Sequence, residues 1–283
     1  MSSQIKNRSK SASEMSFVEH LEALRWHLFR SVIVWLLMTI AIFIFVDWVF
    51  DNIIYAPARS NFITYDLLCR LSRNLGLGDS LCMPPVNIPL LGNTISGPFM
   101  AAISISMMGG LIIAFPYLLW ELWKFIKPAL SAKELKYARG GIFWVSLCFF
   151  TGAAFGYFVL APFTFNFLAN FTLGNTGAYR YMPTLEDYID TLNNILLGCG
   201  LAFELPVLAY ILAKIGLISS AFLRTYRKYA MLVILVVSAI ITPSPDWTSQ
   251  VIVALPLLLL YEISILICAR IAIQEEKAEK EWS

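Results

Sequence analysis

Six long apolar runs divide the chain: Ser31–Phe50, Ser96–Leu119, Ile142–Phe165, Leu192–Ile215, Ala230–Ile241 and Val251–Ile267. A helix that crosses a bilayer needs about 20 apolar residues, with a usual range of roughly 17–25. The first four runs meet that length and the sixth is marginal. The fifth, at about 1.5 Å per residue, covers only about 18 Å of a roughly 30 Å hydrocarbon core. The pattern predicts an all-α integral membrane protein with six transmembrane helices, the last two short. By length alone a re-entrant pair remains open for those two. Pro116, Pro162, Pro206 and Pro256 each fall inside an apolar run. Proline lacks an N–H and crowds the carbonyl four residues earlier, which must then find another partner. Several of the helices are therefore expected to be kinked or broken.

Composition narrows the class. Of 283 residues, 58% are hydrophobic and 14% charged, with a mean hydropathy of +0.69. Soluble domains carry about 45–50% apolar and about 25% charged residues, so a soluble core, a disordered chain and a disulfide-stapled secreted domain are all excluded. A net charge of +2 is too small to imply nucleic acid as a partner. With six crossings, 17 of the 21 Lys and Arg residues fall on the side of the termini, and only Arg59, Arg70, Arg73 and Arg180 on the other. Lys and Arg bias sets orientation, so both termini are expected in the cytoplasm, and two crossings are favoured over a re-entrant pair. Residues 1–14 read as a disordered cytoplasmic tail, 15–270 as one transmembrane domain and 271–283 as a second cytoplasmic tail. The first run lacks a small-x-small cleavage site and reads as a retained span.

Much familiar chemistry lacks its parts. Gly92 and Gly97 have phosphate-loop spacing, but Pro98 follows where a lysine should stand. His20 and His27 both precede the first span, so no intramembrane Ser–His pair forms, and the five cysteines show no metal-ligand spacing. The chain is expected to act by binding and conformational change, without enzymatic activity, cofactor or metal.

Glu204 is the sharpest functional signal. It lies near mid-bilayer, where an acidic residue costs at least about 2.5 kcal/mol and marks a pathway, a relay or a hydrogen-bonded lock between helices. Pro206 frees the carbonyl of Ala202 one turn away. On the cytoplasmic side, Ser16-Phe17-Val18-Glu19 and Ser131-Ala132-Lys133-Glu134 are capping boxes, which give Glu19 and Glu134 structural readings. The helix opened by the first puts Phe17, Leu21, Leu24 and Leu28 on one stripe, suited to lying on the membrane surface. Glu22 faces elsewhere. With Glu134 it offers carboxylates that suit a guanidinium ligand arriving from the cytoplasm.

In the long outer loop, Phe62–Leu75 reads as a short amphipathic helix with Leu67, Leu68, Leu71 and Leu75 on one side. Gly76 and Gly78 let the chain turn back, bringing Cys82 over the helix that carries Cys69. A bridge between Cys69 and Cys82 is expected, closing a loop of about fourteen residues worth roughly 3 kcal/mol.

The run Ser16-Phe17-Val18-Glu19-His20-Leu21-Glu22-Ala23-Leu24-Arg25 resembles the N-terminal signature of the TatC family, the multi-span subunits of the twin-arginine protein translocase. So do Phe115-Pro116, Trp123-Lys124-Phe125-Ile126-Lys127-Pro128-Ala129-Leu130 with Glu134, and Phe203-Glu204-Leu205-Pro206. Thr242-Pro243-Ser244-Pro245-Asp246 with Gln250, then Ala254-Leu255-Pro256 with Tyr261-Glu262, complete the series in order. The resemblance implies recognition of twin-arginine signal peptides through Glu134, Glu22 and Glu19, with Phe125 and Arg25 of the same motifs. It implies export of folded proteins driven by the proton-motive force, from the inner membrane, within an oligomeric complex. TatA- and TatB-type single-span subunits are the implied partners beside membrane lipid, docking near Thr242, Asp246 and Gln250, and Glu204 is the intramembrane glutamate. One departure stands: the second of two adjacent acids in the first motif, the one linked to signal-peptide recognition, is here Ala23, so Glu22 or Glu19 is expected in its place and Glu134 carries more of the recognition. Two other classes compete, a proton-coupled small-solute transporter and a helix-binding scaffold that transports nothing.

Overall fold

The computed structural model describes residues 17–74, 76, 78, 82, 88–127, 141–170, 182–242 and 247–282. Both the N-terminal tail and the Ser131–Glu134 capping box lie outside them, as do Leu75 and Asp246.

No glycine or proline interrupts Phe17–Ile44, and the segment forms one 28-residue helix, α1. The residues of the stripe read as suited to the membrane surface continue straight into the first span, because nothing in the sequence breaks the hydrogen-bond ladder. A short helix α2 (Val46–Val49), a π-turn (Phe50–Ile54) and a 3₁₀ turn (Ala56–Ala58) lead to α3 (Ile63–Asn74). The second span is α4 (Gly97–Ile126), continuous through Pro116. The third is α5 (Gly141–Phe155), a π-turn (Gly156–Leu160) and α6 (Ala161–Asn170). The fourth is α7 (Leu185–Ala202) and α8 (Leu205–Lys214). After α9 (Ser220–Thr225) come α10 (Arg227–Ile241) and α11 (Trp247–Trp282).

The prolines divide into two kinds. Before Pro162 the ladder widens into the π-turn, and before Pro206 the helix is broken at Phe203-Glu204. Pro116 and Pro256 sit inside continuous helices.

Five stretches are long and apolar enough to cross a membrane: Leu24–Ile44, Gly97–Ile126, Gly141–Asn170, Leu185–Lys214 and Gln250–Gln274. The fifth apolar run, within the 15-residue α10, is the short one. The last run is not short as expected. It is embedded in the 36-residue α11, which also takes up the segment 271–282 read as a tail. Glu, Lys and Ala are strong helix formers and no glycine or proline follows Pro256, so the helix runs on.

α1 lies along α4 at the edge of the bundle, α7 packs on α4 and α5, and α11 packs on α8 and α10. At Gly110 the backbones of α1 and α4 nearly touch, since a Cβ there would stand 2.9 Å from the Cα of Thr39. The main core gathers Leu160, Phe165, Tyr188, Leu192 and Ile195 with Val253 and Leu257, and a second, smaller one holds Ala209, Ala213, Cys268 and Ile271.

The end of the bundle carrying α3, the outer end by the side expected from the Lys and Arg bias (the opposite one being the inner end), is tied by backbone carbonyls. Residues 91 and 184 form a parallel bridge between two loops, with Leu91 N–H on the Pro183 carbonyl and Leu185 N–H on that of Leu91, both 3.0 Å. The π-turn carbonyls of Ile53 and Ile54 accept from the hydroxyls of Tyr157 and Tyr188, each at 2.7 Å. Helix α3 is turned over relative to a simple amphipathic reading. It buries Thr64, Tyr65 and Ser72, whose hydroxyls reach the carbonyls of Phe158, Pro57 and Gly78. Leu67 and Leu71 are exposed together with Ile63. Gly76 and Gly78 take φ of 72° and 61°, the left-handed turn that reverses the chain. Cys69 and Cys82 form a disulfide across it, with Cα atoms 4.4 Å apart.

Candidate functional site

The sequence-derived residues fall in three places. At the inner end, Glu22 and Arg25 stand exposed on α1, the guanidinium 5.8 Å from the Trp26 ring centroid. Phe125 closes α4, its ring centroid 6.3 Å from that of His27. The side chain of Glu19 and all of Glu134 lie outside the described residues; Glu22 and Arg25 stand on the N-terminal turns of α1 and Phe125 at the end of α4, which His27 brings together at one rim.

Between those helices lies a cluster that sequence reasoning missed. Glu121 is 1% exposed, and each of its oxygens has a partner. Oε2 is 2.6 Å from His27 Nδ1 on α1, and Oε1 accepts from Lys124 Nζ at 3.0 Å. Lys124 Nζ also stands 3.6 Å over the Trp120 ring. A buried carboxylate is costly unless paired and hydrogen-bonded, and here it is both. The available signal was Glu121 three residues before Lys124 in an otherwise apolar helix, a spacing that puts both on one face.

Mid-bundle, Glu204 occupies the break between α7 and α8. Its amide N–H turns back to the Leu201 carbonyl at 3.1 Å, and its own carbonyl accepts from Leu208 at 2.9 Å, so both backbone groups of Glu204 are satisfied at the break. The side chain is 7% exposed, and neither carboxyl oxygen has a hydrogen-bond partner among the described residues. It faces Cys148 and the backbone of Phe149 on α5. A buried carboxyl without a protein partner demands a proton, a water or a ligand group.

At the outer end, Thr242 is buried and returns its hydroxyl to the Ser238 carbonyl at 2.9 Å. Gln250, on α11, donates to the Leu235 carbonyl of α10 at 3.0 Å, bringing an amide down beside the short helix. A second unforeseen feature is an acidic cleft of about 270 Å³ between the outer ends of α4 and α7, lined by Ser104, Glu186 and Asp190. Asn193 donates to Ser104 Oγ beside it at 3.0 Å.

Residues 19–256 match the family model described as Sec-independent protein translocase protein (TatC). The Sec-independent protein translocase protein TatC of Blattabacterium sp. subsp. Periplaneta americana is 40% identical over 256 residues, covering 90% of this chain and 95% of its own length. That of Aquifex aeolicus is 33% identical over 263 residues, covering 93% and 98%. The crystal structure of a twin arginine translocase receptor, TatC, superposes with a TM-score of 0.67 at 32% identity, over 89% of this chain and 98% of that one. With motifs, span order and fold in agreement, the chain belongs to the TatC family of Sec-independent protein translocases.

Proposed function

We propose that this chain is the receptor subunit of a twin-arginine translocase, binding twin-arginine signal peptides at the inner rim and supporting proton-motive-force-driven export of folded proteins. The observation that carries this reading is the match along 89% of the chain to a solved receptor of that name. The chain sits in the inner membrane with both termini cytoplasmic, and acts without catalysing a covalent reaction. Glu22, Glu19 and Glu134 supply carboxylates for the arginine pair, with Phe125 and Arg25 beside them. TatA- and TatB-type single spans dock where α10 is short, around Thr242, Asp246 and Gln250. A small-solute transporter is the weaker reading, because a solute site gathers several polar groups at the midplane. Among the described residues Glu204 faces instead the backbone of Phe149 and a thiol.

Crosslinking of a twin-arginine signal peptide tests the reading. Losing a charge-assisted pair costs about 1.5–3 kcal/mol, so Glu134→Ala should weaken binding about tenfold or more, and Glu22→Ala should add to the loss. Unchanged crosslinking in the double variant sinks it.

A further inference from the structure

The geometry points to Glu121 and His27 as a positioning pair for the signal-peptide site: a buried clasp that sets the first half of α1, with Glu22 and Arg25, against the end of α4, with Phe125. It rests on the signal-peptide reading above. Glu121 cannot itself be the peptide's ligand without losing partners, since it is 1% exposed and both oxygens are taken. Lys124 belongs to the same helix, so among the described partners of Glu121 only His27 reaches across to α1.

Contacts between α1 and α4 run along both helices: Ile42 packs against Gly109 and Thr39 against Gly110, Trp35 Nε1 donates to the Met107 carbonyl at 3.0 Å, and His27 meets Glu121. The last of these is the one nearest the rim. Glu22 lies five residues before it, about 7.5 Å along the axis. On the rim side of His27, Leu24 and Trp26 are exposed. The same imidazole meets the Phe125 ring, so one side chain joins the two sequence motifs of the rim. Lys124, with its ammonium over Trp120, holds the carboxylate from the other side.

The test uses the full chain in detergent or nanodiscs. His27→Leu cuts the bond between helices yet leaves Glu121 paired with Lys124, so the fold is kept. His27→Gln preserves a donor. Spin labels on Leu28→Cys and Leu122→Cys, with Cys148, Cys199 and Cys268 replaced by Ala, report the α1–α4 distance distribution. Anisotropy of a labelled twin-arginine peptide reports binding. His27→Leu should broaden the distribution and weaken the peptide about tenfold, the loss expected for a charge-assisted hydrogen bond, and His27→Gln should restore both to within about twofold. An unbroadened distribution in His27→Leu overturns the clasp. A broadened one with unchanged peptide affinity, while Glu22→Ala lowers that affinity, overturns its positioning role and leaves the site standing. If neither Glu22→Ala nor Glu134→Ala weakens the peptide, the site reading fails and the positioning role fails with it; the distance distribution still separates that case from a missing clasp.

Discussion

Thr64 donates its hydroxyl to the carbonyl of Phe158 at 2.6 Å, and Phe158 stands four residues before Pro162. That is the carbonyl an intact helix would bond to the missing N–H of residue 162. The outer loop thus supplies the partner that the proline takes away, and in doing so docks α3 on the third span. Thr64→Val keeps the shape and removes the donor. It should cost about 1–3 kcal/mol, because the carbonyl is left unsatisfied, while Thr64→Ser should be close to neutral. Thermal unfolding in detergent that ranks Val equal to Ser would contradict this.

The disulfide should matter through the same loop. Replacing Cys69 and Cys82 by Ser removes a cross-link over a separation of 13 residues, worth roughly 3 kcal/mol in the chain-entropy model. Limited proteolysis at the outer end should speed up in the double variant and in reduced wild-type protein alike. Equal cleavage rates with and without reductant would deny the bridge that role.

Alkaline pH should loosen this cap. Burial raises the Tyr65 phenol to about 12, with the Asn166 hydrogen bond opposing. An unfolded tyrosine titrates near about 10. The folded state therefore favours the neutral donor, and its contribution is complete below pH of about 10 and lost as pH rises through about 12. A tyrosinate difference titration of wild type against Tyr65→Phe should show a phenol ionising after the exposed tyrosines. A difference signal that titrates with them counts against the buried donor.

At Glu204 the chemistry of the break sets the order of variants. Gln keeps hydrogen-bonding capacity where the carboxyl has no side-chain hydrogen-bond partner among the described residues, whereas Leu leaves whatever partner arrives unsatisfied. Export should fall less in Glu204→Gln than in Glu204→Leu. Equal inactivity would favour proton transfer over hydrogen bonding, and a more active Leu variant would exclude both.

Around the short α10 the expectation is geometric. A span shorter than the bilayer core thins the membrane or recruits a neighbour. Cysteines placed near Thr242 and Gln250, at exposed Ile240 and Val251, should crosslink to a single-span partner. Crosslinks found only along α1 or α5 would move the docking surface elsewhere.

The apolar runs made the bundle legible, because spans are specified by hydropathy and length. The α3 helix was legible too, as was the proximity of Cys69 to Cys82, since both follow from local spacing and two glycines. Which face of α3 turns inward was not. Hydrophobic pattern puts leucines inside, but in α3 the buried hydroxyls answer backbone carbonyls freed in other segments, a demand invisible within the helix itself. The length of α11 was missed for the opposite reason, because an apolar run ends where charges begin and the helix does not. Glu204 announced itself by charge in a long apolar run. Glu121 did not, because its meaning depends on His27, 94 residues away.

The break at Glu204 has a mechanical consequence. Above it, α7 contributes Leu192, Ile195 and Cys199 to the main core, and below it α8 contributes Ala209 and Ala213 to the small core shared with α11. A continuous helix transmits a push along its axis as a rod does. Here Pro206 lacks an N–H and the Glu204 amide turns back to Leu201, so the rod is cut where it changes hands. The fourth span is therefore two rods end to end, one set in each core, meeting at the buried carboxyl.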